Sequence, residues 1–130
     1  MVTIPQDLLT AAKTVLSYSY SPYSKYQVAC AIRAADGRIF SGCNIENASY
    51  GAVICAEGAA VCCMVSQGQH AISEILVLVD DVRLAAPCGI CRQRFSEMSR
   101  SDTVIHCCTV SGLYKSYEMA ELLPEAFVLL

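Results

Sequence analysis

Apolar positions along the chain change period several times, and each change marks an element. Leu8, Leu9, Ala12, Val15 and Leu16 recur at helical spacing and predict an amphipathic helix over residues 6–20. Ser21-Pro22-Tyr23-Ser24 breaks it, because a proline pushes the residue before it away from helical backbone. Residues 26–34 and 38–43 read as two strands joined by the hairpin signal Asp36-Gly37. A polar stretch, 44–50, reads as a loop. Residues 55–66 are apolar nearly all round and predict a mostly buried helix ending at Gly68. Ile72–Val79, with its unbroken apolar run Ile75–Val79, reads as a buried strand. Pro87 opens a second helix at about 88–98, followed by strands at 103–110 and 113–117. A short helix at 119–123 is halted by Pro124. Strands joined through helices require some parallel pairing, so the pattern predicts one α/β domain over residues 1–130 with a mixed sheet of five strands covered by helices.

Composition adds two constraints. Of the 130 residues, 55% are hydrophobic and only 16% charged. The mean hydropathy is +0.43. That excludes intrinsic disorder, which needs the opposite balance. The longest apolar runs, such as 58–65 and 75–79, are far below the roughly 20 residues of a membrane span, so no membrane partner is expected. The surplus of apolar material points to burial between subunits. The net charge is −3 and no basic run occurs, so a nucleic-acid partner is not expected, because phosphate neutralisation supplies most non-specific affinity. Residues 1–7 have neither the basic nor the apolar region of a signal peptide, and the expected location is cytoplasmic.

Nine cysteines dominate the candidate chemistry. An odd number without a secretory signal fits reduced thiols better than a disulfide framework. Cys62, Cys63, Cys107 and Cys108 lie in apolar helix or strand patterns and are expected to pack in the core. Cys55-Ala56-Glu57 and Pro87-Cys88-Gly89-Ile90-Cys91 are different. A Cys-x-x-Cys pair alone also occurs in redox proteins, but redox chemistry gives no role to an upstream Cys-Ala-Glu. Three thiolates from Cys55, Cys88 and Cys91 would leave one tetrahedral position of a zinc ion open, as in catalytic sites. A fourth sulfur, from Cys43 or Cys30, would instead close the site into a structural one. Glu57, two residues beyond a ligand, is placed to reach the open position without binding the metal.

With these residues the chain resembles the small zinc-dependent cytidine deaminases, whose signature joins a Cys-x-Glu to a Pro-Cys-x-x-Cys. The resemblance runs through Ser21-Pro22-Tyr23-Ser24-Lys25-Tyr26, Asp36-Gly37-Arg38, residues 42–51, Ile54-Cys55-Ala56-Glu57, Pro87 to Gln93, and Glu121 to Pro124 with Phe127. It implies a three-layer cytidine deaminase-like fold and one zinc ion per subunit, held by Cys55, Cys88 and Cys91. It also implies hydrolytic deamination of cytidine and deoxycytidine to uridine and deoxyuridine, with Glu57 moving the protons, as a step of pyrimidine salvage. Asn44 and Glu46 are assigned to the ribose hydroxyls. The Ala56 backbone and the Ala86 carbonyl are assigned to the base edge, and Tyr26, where the family usually has Phe, to stacking on the pyrimidine. Phe127 would close the site and Tyr50 would reach in from a neighbouring subunit, since the family is usually a homotetramer with shared active sites.

One position departs from the pattern. A zinc dication with three thiolates is net anionic, which weakens it as an acidifier of water. Two predicted helix starts, at Cys55 and Cys88, offer positive ends to the sulfurs, and Arg92 beside Cys91 is the expected charge-neutralising cation. The family commonly places a further Arg directly after Cys-Ala-Glu, whereas this chain has Gly58. Two other readings therefore stand beside cytidine deamination: the same chemistry on a modified cytosine nucleoside such as a nucleoside antibiotic, and a catalytically weak zinc-binding oligomeric scaffold. His70 and His106 have no ligand spacing and read as structural or surface residues.

Overall fold

A computed structural model describes residues 3–129. The elements run α1 (Gln6–Leu16), β1 (Val28–Ala34), β2 (Ile39–Cys43), a single 3-10 turn (Tyr50–Ala52), α2 (Ala56–Ser66), β3 (Ile72–Val79), α3 (Gly89–Met98), β4 (Val104–Thr109), β5 (Tyr114–Glu118) and α4 (Met119–Leu122). The strands form one five-stranded sheet in the order β2-β1-β3-β4-β5. Only β3 and β4 pair in parallel, as expected where a helix, α3, makes the crossover. Every other neighbouring pair is antiparallel.

Three layers follow from the two-residue period of the strands. Cys30, Ile32 and Ala34 of β1, Ile75 and Val77 of β3, and Ile105 and Cys107 of β4 pack on one face with Ala56, Ala60 and Met64 of α2 and Phe95 of α3. The alternate residues Ala29, Ala31, Leu76, Leu78 and Cys108 pack on the other face against Leu8, Ala12 and Leu16 of α1. Double-sided burial explains why Ile75–Val79 of β3 is a continuous apolar run. His106, on β4, is fully buried, with its ring nitrogens 2.7 Å from Ser116 Oγ and 2.7 Å from Glu74 Oε2.

The helix predicted over 6–20 stops at Leu16. Beyond it the backbone has another partner: the Tyr20 N–H donates to the Asn44 carbonyl at 3.0 Å, and Glu46 N–H donates to the Tyr20 carbonyl at 2.8 Å. The expectation for the remaining thiols divides. Cys107 and Cys108 are buried, but Cys62 and Cys63 are exposed. The buried face of α2 is Ala56, Glu57, Ala60, Val61 and Met64, and helical geometry turns residues 62 and 63 away from the sheet.

Candidate metal and active site

The site lies where β2 and β3 end and β1 begins; Val28 pairs with Val79, and Ala29 with Cys43. Two helices start there. Cys55 caps α2 in extended conformation, and its sulfur accepts the Gly58 N–H at 3.2 Å. Cys88 occupies the corresponding position before α3, again with extended backbone, so Cys91 falls in the first turn of that helix. First-turn N–H groups have no helical partner, and they bring partial positive charge to both sulfurs.

Sulfur atoms of Cys55 and Cys91 and a carboxylate oxygen of Glu57 lie within 4.8 Å of one another. Cys55 is held low, with its thiol pKa at about 6, first by the hydrogen bond with Cys91 and then by the Gly58 N–H and the Arg94 guanidinium. Cys91 is correspondingly raised, because it keeps the proton the two sulfurs share. Glu57 is only 6% exposed. Burial pushes its carboxyl from 4.5 up to about 7, and the nearby Cys55 thiolate acts in the same direction.

A cavity of about 200 Å³ opens onto this cluster, walled by Tyr26, Val28, Cys55, Glu57, Val77, Val79, Ala85, Ala86 and Cys88. Cys88 thus faces the same space, although its sulfur stands outside the tight Cys55–Glu57–Cys91 group. A larger groove of about 370 Å³ between α1 and the β4–β5 turn has no such pairing of thiol and carboxylate. Two sulfurs within 4.8 Å of each other, a third cysteine on the wall and a buried carboxyl beside them match the donor preference of zinc, with Glu57 left over for proton transfer.

Tyr26 and Ala86 therefore share the cavity wall with Glu57, and Ala56 is buried in the first turn of α2. Asn44 and Glu46 do not line this cavity. The Asn44 side-chain oxygen accepts from Ser19 Oγ and from the Val28 N–H at 3.1 Å, and its amide donates to the Tyr26 carbonyl at 2.8 Å. Glu46 accepts the N–H groups of Tyr23 and Ser24 at 2.9 and 3.2 Å, and the Ser24 hydroxyl. The Ser24 hydroxyl, the largest influence, helps hold the Glu46 carboxyl below its usual range. Both side chains brace the segment that carries Tyr26. Tyr50 and Phe127 are 91% and 69% exposed and sit off the cavity wall within one chain. The tail bearing Phe127 is nevertheless docked on α3, where Gln93 Nε2 donates to the Phe127 carbonyl at 3.1 Å.

Arg92 is a correction. Its guanidinium donates to the Pro87 carbonyl at 2.6 Å and the Leu122 carbonyl at 3.0 Å, tying the turn before α3 to the end of α4. The cation at the sulfurs is Arg94, whose Nη1 is 3.1 Å from Cys55 Sγ and 3.6 Å from Cys91 Sγ. Helix geometry explains the exchange: residue 94 follows Cys91 by three positions and shares its face, whereas residue 92 is rotated about 100° away. That spacing was the available signal in the sequence.

The family described as the cytidine and deoxycytidylate deaminase zinc-binding region matches residues 3–107. The chain belongs to that family. Cytidine deaminase of Halalkalibacterium halodurans is 38% identical over 122 residues, 94% of this chain and 92% of that protein. Cytidine deaminase of Mycobacterium tuberculosis is 36% identical over 109 residues, 84% of this chain and 78% of that protein. Among solved structures, cytidine deaminase from Burkholderia pseudomallei superposes with a TM-score of 0.89 at 34% identity, covering 96% of this chain and all (100%) of that one. The Mycobacterium tuberculosis structure gives 0.83 at 33% identity, covering 98% and 100%. The three-layer α/β architecture with its mixed five-stranded sheet is thus that of the cytidine deaminases, and the zinc-binding character of the family agrees with the thiol–carboxylate cluster.

Proposed function

We propose that this chain catalyses hydrolytic deamination of cytidine and deoxycytidine to uridine and deoxyuridine, with release of ammonia. The observation that carries the reading is the buried Glu57 carboxyl beside the Cys55 and Cys91 sulfurs, facing a small cavity walled by Tyr26 and Ala86. Relatives named cytidine deaminase, matching over most of their length, support it.

Cys55, Cys88 and Cys91 would hold one zinc ion per subunit, and zinc supplies a Lewis-acid centre that acidifies water. The protein's own part is proton traffic and positioning. Glu57, poised near neutral pH by burial, takes a proton from water and delivers it to the ring nitrogen next to the amino-bearing carbon. A carbon–oxygen bond forms, the carbon–nitrogen bond breaks, and Glu57 carries the second water proton to the departing amino nitrogen. Tyr26 would stack on the pyrimidine, while the Ala56 N–H and Ala86 carbonyl read its edge. Asn44 and Glu46 would exchange some of their hydrogen bonds within the chain for ribose hydroxyls.

The exposure of Tyr50 and Phe127 fits roles completed in an assembly, with Tyr50 reaching into a neighbour's site and Phe127 closing one. We assign a homotetramer of single-domain subunits with shared active sites, which also accommodates the apolar surplus. Nine free thiols suit a reducing compartment, so the assigned place is the cytoplasm and the assigned role pyrimidine salvage. No helix among the described residues is long and apolar enough to cross a membrane.

The test is the loss of the cytidine ultraviolet band with purified protein. Turnover should vanish on chelation and return with stoichiometric zinc; absence of turnover in the zinc-loaded protein overturns the reading. A nucleoside panel separates cytidine from modified cytosine nucleosides. The scaffold reading rested on Gly58, and Arg94 beside Cys55 removes that ground.

A further inference from the structure

Among the described residues, one cation donates to a thiol. Arg33 pairs with Asp7 and Glu74, Arg38 with Asp36, Arg83 with Asp81 and Arg100 with Asp102. Arg92 is spent on two carbonyls. Arg94 alone reaches the sulfurs. The space it uses is set by a residue on a different helix. A Cβ at position 58 would stand 2.9 Å from Arg94 Nη1, 3.4 Å from its Cζ and 3.2 Å from Cys55 Sγ. Gly58 has no positive φ to require glycine, and it lies in the first turn of α2, where a Cβ is otherwise favourable.

We propose that Arg94 is the positioning and charge-balancing residue of the metal centre, and that position 58 is glycine because the Arg94 guanidinium occupies the volume a side chain there would fill. This rests on the zinc reading above. A trithiolate zinc centre is net anionic, and a charge-assisted hydrogen bond to Cys55 and Cys91 draws electron density from two of its donors. The bond also fixes the direction of the Cys55 side chain across the α2–α3 junction. The two positions form one device: α3 supplies the charge and α2 leaves room for it.

The experiment replaces zinc by cobalt(II) in the full-length protein and reads the thiolate-to-cobalt charge-transfer band. Losing a hydrogen bond to a thiolate raises its donor level and moves this band to longer wavelength. Arg94→Gln should shift it that way and weaken zinc roughly 10–100-fold in chelator competition, the usual loss for a removed outer partner. Gly58→Ala, which leaves the sequence of α3 unchanged, should shift the band in the same direction by displacing the guanidinium. In the Arg94→Gln background Gly58→Ala should add little, and Gly58→Arg should move the band back by returning a cation from the other helix.

An unmoved band in Arg94→Gln overturns the proposal, as does a Gly58→Ala shift that persists in full without Arg94. Should Arg94→Gln not fold, Gly58→Ala decides alone, and no shift overturns the proposal. A wild-type protein that takes up no cobalt with a thiolate band overturns the metal reading and this proposal together, a result distinct from either failure above.

Discussion

Gly42→Ala would add a single methyl group at the junction between sheet and catalytic helix. Gly42 lies on β2 opposite Cys30, and its missing Cβ faces the middle of α2. That atom would stand 2.6 Å from Ala60 N, 2.7 Å from Ala59 Cβ and 2.9 Å from the Ala59 carbonyl carbon. Ordinary contacts sit at about 3.5–4.0 Å, so the shortfall is close to 1 Å, and it falls on helix backbone rather than on a side-chain tip. Relief requires α2 to move away from β2. Overpacking of this kind costs about 1–3 kcal/mol, offset by somewhat less than 1 kcal/mol from the reduced freedom of the unfolded chain. A net loss of about 1–2 kcal/mol corresponds to a fall in Tm of roughly 4–8 °C for a chain of this size. Cys55 and Glu57 ride on α2, and misplacement by about 1 Å can cost 100-fold in rate, so kcat/KM should fall with Tm. The assay is thermal unfolding of zinc-loaded protein at fixed concentration, with Gly51→Ala as reference because nothing lies within 4 Å of its added Cβ. A Gly42→Ala protein that melts within about 1 °C of the reference and keeps full activity would refute the packing reasoning.

Glu57→Gln should retain zinc while kcat falls by about 10²–10⁴-fold in a steady-state assay, because among the described residues no other buried carboxyl stands at the sulfurs. The same substitution has a pH signature in metal-stripped protein. A carboxyl raised from 4.5 to about 7 on folding contributes stability that is lost as pH rises through that window, up to about 3 kcal/mol at about 1.4 kcal/mol per pKa unit. The Cys55 thiol, held low, acts in the opposite direction in both proteins, so the readout is the difference: in denaturant titrations the stability of the wild type relative to Glu57→Gln should fall by about 3 kcal/mol between about pH 4.5 and 8. Arg92→Ala should lower stability by about 1–3 kcal/mol through its two lost carbonyl bonds, and leave the cobalt charge-transfer band unmoved. His106→Ala should cost about 2–4 kcal/mol in chemical denaturation, since it empties a buried site and leaves Glu74 and Ser116 without their ring partner; KM for cytidine should not change.

Much of this fold was legible in local pattern. The strand Ile72–Val79 has the bounds expected from the sequence, because its second half, Ile75–Val79, is buried on both faces and so is apolar without a break. Positive φ at Gly37 and Gly68 agrees with the turn and the helix end read from those glycines. Legibility failed where a contact crosses the sequence. The end of α1 depended on Tyr20 finding backbone partners at residues 44–46. The outward turn of Cys62 and Cys63 depended on which face of an evenly apolar helix met the sheet. Asn44 and Glu46 fall in a stretch that reads as a loop and are assigned by resemblance to ribose hydroxyls, and the hydrogen bonds by which they organise the segment around Tyr26 cross about twenty positions of chain.

The two arginines after Cys91 divide the matter most clearly. Sequence alone placed Cys55 with Glu57 at one helix start and Cys88 with Cys91 at another, because a spacing of two or three residues at a helix N-terminus fixes local geometry within a few ångströms. Only the tertiary structure decided which cation neutralises them. Arg94 reaches Cys55 across 39 positions of chain because α2 and α3 pack side by side and Gly58 leaves a gap between them. Local periodicity reports which way a residue faces about its own axis; the distance between two axes is set by the packing of the whole core.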